Sequence, residues 1–261
     1  MIKKVVIAAA GQGTRMLELS KDRSKHLINV INRPFLAYLL DNLVIAGYTD
    51  IILVVGYRKE LMEAFIKEFL EHSTPLEELG LGGHKLKIQI IDQHKVLGPK
   101  EKEYGTACPL KCVADIKEPF IFLYGDNLYS VDDLKAMNID DNYNYVAGLE
   151  HEHPEKFGVL ITEGEFLKEI IEKPKKFSGN LINTGPFKFT PEVFEKLPLI
   201  KKSSRGEYEI TDVISLLAKE KKVKVKKIKD YWMDFGNPDD LEKLSEFIKH
   251  GSIKTIVGGT K

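Results

Sequence analysis

The amino-acid sequence predicts an α/β fold, a doubly wound and mostly parallel central sheet with a smaller annex, and three observations point to it. Residues 5–10 are an apolar run that breaks into a glycine turn at Gly11 and Gly13, the pattern of a buried strand leading into a loop. Apolar runs then alternate with segments of helical period through the first half, as expected of parallel strands joined by crossover helices. The second half changes to shorter strand-like runs, which predicts a mixed sheet there.

Taken in order, residues 5–10 form the first strand. Pro34 suits the opening turn of a helix running to about residue 46, where Gly47 can take the left-handed conformation that closes it. Residues 51–55 form the second strand. Between 58 and 70, Leu61, Met62, Phe65, Ile66 and Phe69 fall on one helix face. A third strand covers 86–91, a helix 106–114, and a further strand 120–124, which ends on Gly125 and Asp126. Asp126 therefore belongs at a strand's carboxyl end. Shorter strands follow near 143–149, 157–161, 167–171 and 185–189. A helix is expected over 210–219, and the run from Val223 to Lys229 reads as a strand whose lysines line a solvated face. A last helix starts near Pro238 and reaches about residue 250, with 251–261 as a loose tail. These elements make one domain over residues 1–250, its first part ending near 130 and its second spanning about 131–235.

A chain of 261 residues can bury one large core. Its 39 basic residues balance 39 acidic ones, so no whole-chain field attracts nucleic acid or a membrane surface. Cys108 and Cys112 are spaced i,i+4 with no second pair to complete a zinc site, and read as buried thiols. His151 and His153 precede Pro154 without a third ligand at suitable spacing and read as surface residues. The first apolar run is too short for a secretory core, and no stretch approaches the roughly 20 apolar residues of a membrane span. A soluble cytoplasmic protein is expected. No internal repeat appears, and the lack of hexapeptide repeats after residue 240 argues against an attached β-helix acyltransferase.

Gly11 and Gly13 let backbone N–H groups approach an anion, and Arg15 and Lys25 add positive charge, which together describe a polyphosphate cradle. Two familiar cofactor loops fail here. The dinucleotide fingerprint would need a third glycine where Met16 stands, and the phosphate loop of ATPases needs Gly-Lys-Ser/Thr four residues after its first glycine. In open α/β sheets ligands bind beyond the carboxyl ends of the strands, where both the glycine turn and Asp126 belong. Asp234 follows a strand and precedes a helix, so it can return to the same rim. Two carboxylates beside a polyphosphate suggest Mg²⁺, which takes one or two carboxylates and completes its octahedron with phosphate and water. Taken singly, Asp126 reads equally well as a turn residue or helix cap.

One ordered series of motifs goes further. It comprises Ala9-Ala10-Gly11-Gln12-Gly13-Thr14-Arg15, Lys25, Gln93, Gly105-Thr106-Ala107, Gly125-Asp126, Phe157-Gly158-Val159, Glu172-Lys173-Pro174, Asn183-Thr184-Gly185, the segment from Gly206 to Asp212, and Trp232-Met233-Asp234-Phe235-Gly236. In this order the series resembles the sugar-1-phosphate nucleotidylyltransferases, especially the thymidylyl- and uridylyltransferases acting on glucose 1-phosphate. The resemblance implies a Rossmann-like, GT-A-like fold with a sugar-binding annex. It further implies that Ala10, Gly11, Gln12, Gly13 and Thr14 hold the nucleotide, while Arg15 and Lys25 grip its β- and γ-phosphates. Gln93, with Gly105 and Thr106, would read the base, and Asp126 and Asp234 would hold Mg²⁺. Lys173 and Arg205 would contact the sugar phosphate, with Gly158, Glu172 and Asn183 on the sugar hydroxyls.

The implied partners are a nucleoside triphosphate and a sugar 1-phosphate, and a homo-oligomer is compatible with the family, loop 71–85 offering one contact surface. UTP and dTTP show nearly the same edge to Gln93 and are not separated. Other members transfer guanylyl to mannose 1-phosphate or cytidylyl to other phosphorylated alcohols, and some are non-catalytic nucleotide-sugar sensors or regulatory subunits. Retained Arg15, Lys25, Asp126 and Asp234 speak against a sensor. Two departures stand out: Ser24 replaces the usual proline before the lysine, and residues 94–104 add length that reads either as a flap over the nucleotide or as a passive surface loop.

Overall fold

The computed structural model describes the chain except residues 12, 14, 15, 17, 18, 20–23, 57, 74, 75, 77, 82–84, 100–102 and 252–261. In chain order the elements are β1 (Lys4–Ala9), β2 (Asn29–Val30), β3 (Arg33–Pro34), α1 (Phe35–Ile45), β4 (Asp50–Val55), α2 (Lys59–His72), β5 (Lys87–Asp92), α3 (Gln93–Leu97) and α4 (Cys108–Lys111). They continue with β6 (Phe120–Tyr124), β7 (Asn127–Tyr129), α5 (Val131–Ala136), β8 (Asn144–Glu150), β9 (Gly158–Glu163), β10 (Phe166–Glu172) and β11 (Leu181–Phe189). The last are α6 (Val193–Lys196), α7 (Ile210–Lys219), β12 (Val223–Lys227), β13 (Trp232–Asp234) and α8 (Asp239–Lys249).

Two compact units divide these elements, a first made of Lys3–Asp92, Leu123–Lys135 and Asp230–Lys261, and a second made of Met1–Ile2, Gln93–Phe122 and Ala136–Lys229. This corrects the single break expected near residue 130. The cause lies in β6: Phe120 and Phe122 pack on Phe187 and Phe189 of the later chain, whereas Gly125, just past its end, donates its N–H to Ala8 O at 2.9 Å.

In the first unit β1, β4 and β5 are parallel neighbours, with Val5 opposite Ile51 and Ile51 opposite Ile88. Val5, Val6, Ile7 and Ala9 are buried, as are Ile51 to Val55, which is why these strands read as unbroken apolar runs rather than alternating ones. Helix α1 is buried almost throughout and stops where Gly47 adopts φ +96°, its N–H bonding to Val44 O and that of Tyr48 to Leu43 O, the paired bonds of a glycine-closed helix. Helix α2 buries only Met62, Ile66 and Phe69, so Leu61, expected on the inner face, is exposed.

The second unit is mostly antiparallel. Strand β11 pairs with β6 and β8, β10 with β12 and β9, and only β12 and β8 run parallel. The order β11-β8-β12-β10-β9 closes on itself through one further pair, Ile182 opposite Val159, so five strands form a small ring. The lysine-rich strand β12 is an interior member of that ring; Lys224 lies 4.2 Å from the centre of the Tyr143 ring and pairs with Glu165 at 2.6 Å. The helix expected over 106–114 shrinks to α4, because its turns tighten to i→i−3 bonds: Leu110 to Ala107, Val113 to Leu110 and Ile116 to Val113, each 3.1 Å. Cys108 is buried and Cys112 half-buried, and burial pushes the Cys108 thiol up to about 11. No helix among the described residues is long and apolar enough to cross a membrane.

Candidate functional site

The phosphate-type residues belong to the first unit. Strand β1 delivers Ala10, Gly11 and Gly13 from its carboxyl end. Gly13 takes φ +66° and accepts Met16 N–H at 2.8 Å, and a Cβ built on it would lie 2.9 Å from the Cβ of Lys25. Lys25 can therefore pack against the turn only while residue 13 has no side chain. Although only 7 % exposed, Lys25 is a cation, and its ammonium forms an ion pair with Oδ2 of Asp126. The other oxygen of Asp126 accepts from Asn127 Nδ2 at 3.0 Å, and Asn127 Oδ1 in turn accepts from Trp232 Nε1 at 2.6 Å. Burial alone would raise the Asp126 pKa, but its surroundings, the Lys25 charge foremost, outweigh this and hold the carboxyl below its ordinary range. Behind the pair, His26 is buried with Nδ1 2.7 Å from Ser24 Oγ; burial, and next the Lys25 charge, drop its pKa to about 3, so the ring is neutral.

Strands β7 and β13 bring in the second carboxylate. They pair antiparallel with Asp234 opposite Asn127, and Phe235 N–H donates to Asp126 O at 2.8 Å, so the backbones of Asp126, just before β7, and Asp234 lie one step apart across the ladder. The turn after Asp234 is pinned by Phe235, buried and stacked on Phe35 at 4.7 Å, and by Asp240 Oδ2, which accepts the N–H groups of Gly236 and Asn237 at 2.9 and 3.0 Å. An ionised carboxylate beside an exposed one is a hard-oxygen donor pair. No group of three or more His, Cys, Asp or Glu that could hold a metal occurs among the described residues, His151 and His153 included. Two carboxylates without nitrogen or sulfur suit Mg²⁺, which leaves most of its octahedron to phosphate and water.

The sugar- and base-type residues belong to the second unit. Gly158 starts β9 opposite Glu172, the last residue of β10, and a Cβ on Gly158 would stand 3.0 Å from Glu172 Oε2 and 3.9 Å from Asn183 Cβ. Only glycine at 158 lets the Glu172 carboxylate come this close to the strand. Asn183 lies where β11 shifts register, and its Oδ1 accepts Gly185 N–H at 3.0 Å, a bulge that turns the side chain out of the strand's regular alternation. Lys173 is exposed and held at φ +44° by its N–H to Phe157 O at 3.0 Å. A left-handed non-glycine residue is strained, a cost that gathers at functional positions.

Gln93 is buried at the start of α3, and its Oε1 has no hydrogen-bond partner, an omission worth about 1–3 kcal/mol. Gly105 takes φ +130° and sits against the backbone of Tyr208, where a Cβ would come within 2.3 Å of the carbonyl oxygen. Thr106 is more committed than its nucleotide role suggests: its hydroxyl donates to Glu209 Oε2 at 3.3 Å and accepts Ile210 N–H at 2.9 Å, starting α7. Arg205 bonds to Glu209 Oε1 at 2.8 Å.

Two groups therefore assemble: Ala10, Gly11, Gly13, Lys25, Asp126 and Asp234 in the first unit, and Gln93, Gly105, Thr106, Gly158, Glu172, Lys173, Asn183 and Arg205 in the second. Gln12, Thr14 and Arg15 lie outside the described residues. Sequence reasoning gave no role to Asn127, Trp232 or Glu209, although the last two lie within its motifs. Asn127 directly follows Asp126, and Glu209 stands four residues after Arg205, a spacing that favours pairing.

The chain was compared with known proteins. The profile of a family described as nucleotidyl transferase matches residues 4–251. A UTP–glucose-1-phosphate uridylyltransferase of Haloferax volcanii is 31% identical over 252 residues, covering 93% of this chain and 95% of the relative. A bifunctional sugar-1-phosphate nucleotidylyltransferase/acetyltransferase of Sulfurisphaera tokodaii is 31% identical over 246 residues, 94% of this chain but 55% of that longer protein. Among solved structures, an apo UDP-glucose pyrophosphorylase aligns with TM-score 0.77 at 23% identity, covering 96% of this chain and 99% of the other.

Proposed function

Since the chain belongs to the nucleotidyl transferase family, we propose that it transfers a nucleotidyl group from UTP or dTTP to a sugar 1-phosphate, glucose 1-phosphate foremost, with release of pyrophosphate. The observation that carries this is the Lys25–Asp126 ion pair beside the glycine turn, with the backbone of Asp234 one step away across the β7–β13 ladder. The uridylyltransferase named among the relatives supports the choice of substrates.

A phosphate monoester loses its second proton near pH 6, so at neutral pH the attacking oxygen is already charged and no base is required. The sugar-phosphate oxygen forms a bond to the α-phosphorus while the bond to the β-phosphate oxygen breaks. The obstacle is repulsion between anions, and the chain answers with cations. Lys173 and Arg205 bind and orient the attacking phosphate; Lys25 and Arg15 take up charge on the departing pyrophosphate. Glu172, Asn183 and the Gly158 backbone bind the sugar hydroxyls. Gln93 offers its unpaired Oε1 to an imide N–H, which uracil and thymine possess and cytosine lacks. Asp126 and Asp234 would hold Mg²⁺, which when bound supplies further neutralisation of the phosphates. Both substrates are charged metabolites retained inside membranes, so the cytoplasm is the expected site.

Five nucleoside triphosphates set against several hexose 1-phosphates, scored for pyrophosphate, test the reading; release confined to UTP or dTTP with glucose 1-phosphate is the expected result. Lys25→Ala and Asp126→Asn should each lower turnover on the order of 100-fold or more while circular dichroism stays native. Near-normal synthesis of nucleotide sugar by both variants would overturn it.

A further inference from the structure

We infer that Glu209 is a positioning residue that aims Arg205 at the sugar phosphate and locks it to the loop carrying Gly105; the inference rests on the reading of Arg205 as a phosphate ligand. The Arg205 side chain is 65% exposed, whereas that of Glu209 is 10% exposed, so a mobile guanidinium is tied to a fixed carboxylate by the 2.8 Å bond. A solvated i,i+4 pair contributes little order, but here the acceptor is buried and held from three sides. Ser203 Oγ donates to the same Oε1 at 3.0 Å and also takes the Arg205 N–H at 3.3 Å. The turn around Arg205 is closed by Ser203 N–H to Glu207 O and Gly206 N–H to Ser203 O, both 2.8 Å.

The second oxygen of Glu209 faces another way. It takes the Thr106 hydroxyl, and the chain on either side of Thr106 is clamped to Tyr208 by Tyr208 N–H to Tyr104 O at 2.8 Å and Ala107 N–H to Tyr208 O at 2.9 Å. One carboxylate thus joins Arg205 to the segment from Tyr104 to Ala107. A guanidinium has five N–H donors, and the bond to Glu209 uses its NH2 group, so a fork remains for phosphate oxygens. Anchoring lowers the entropy that Arg205 would otherwise lose on binding.

The test is steady-state kinetics of Glu209→Gln, Ser203→Ala, Arg205→Ala and the Arg205→Ala/Glu209→Gln pair with UTP and glucose 1-phosphate, alongside melting curves. Glu209→Gln keeps the shape and removes the charge; it should raise KM for glucose 1-phosphate about 10-fold while kcat and KM for UTP stay within about 2-fold. Ser203→Ala, which alters no charge, should raise the same KM by roughly 2- to 3-fold, and the double variant should be no worse than Arg205→Ala alone. Equal rises in both KM values, no rise, or fully additive effects overturn the inference. A wild-type protein active with UTP whose Arg205→Ala variant binds glucose 1-phosphate normally overturns it alone. A wild-type protein that releases no pyrophosphate overturns the proposed activity as well.

Discussion

Gly13 and Lys25 share a space too small for a methyl group. In Gly13→Ala the new Cβ would meet Lys25 Cβ at 2.9 Å while the backbone remains at φ +66°, so the variant must either relax the turn or push the lysine off Asp126. It is expected to lose about 1–2 kcal/mol of stability and, separately, at least 10-fold in kcat/KM, read from melting curves and pyrophosphate release. Several single residues were legible in the sequence because their chemistry is declared by type: a glycine in a turn, a lysine ten residues beyond Arg15, an aspartate at a strand end. Burial is not declared in that way. Gln93 proves to be a buried amide at the start of a helix, and Glu209, one residue of the motif from Gly206 to Asp212, is buried and held by three donors.

At the scale of elements, the β7–β13 pair matters most, since it sets the backbone of Asp234 one ladder step from that of Asp126. Its two strands have three residues each, too few for a period-2 pattern, and so went unseen while the longer β1, β4, α2 and α7 were legible from their apolar spacing. The pair is reinforced across its width by the Trp232–Asn127–Asp126 hydrogen-bond chain. Asn127→Ala breaks that chain in the middle. It should leave the fold intact and raise the Mg²⁺ concentration for half-maximal velocity by about 10-fold, measured by metal titration at saturating substrates. The proposed sugar ligands depend on strands in the same manner: pairing of β9 with β10 places Gly158 against Glu172, and Asn183 lies at the register shift in β11. A bulge is a geometric event with no residue type of its own, so only its outcome, Asn183-Thr184-Gly185, could be read beforehand.

Across the whole molecule, the chain passes between its units at 2/3, 92/93, 122/123, 135/136 and 229/230, and no composition shift marks these points. That explains why one boundary near residue 130 looked sufficient. The division also assigns charge unevenly by role, with both carboxylates and Lys25 in the first unit. Because Lys25 already neutralises Asp126, stripping divalent cations with EDTA should abolish turnover yet move the melting midpoint by less than about 3 °C, followed by paired activity and calorimetry. A collapse of the midpoint on chelation would show that the cation holds the fold instead.

The five-strand ring of the second unit meets itself at only one residue pair, Ile182 opposite Val159, with Gly158 and Asn183 immediately alongside. On the proposed reading of Gly158 and Asn183 as sugar ligands, a parting at that pair would move both of them. On that reading a looser seam would admit bulkier ring substituents, and a tighter fastening would make a choosier enzyme.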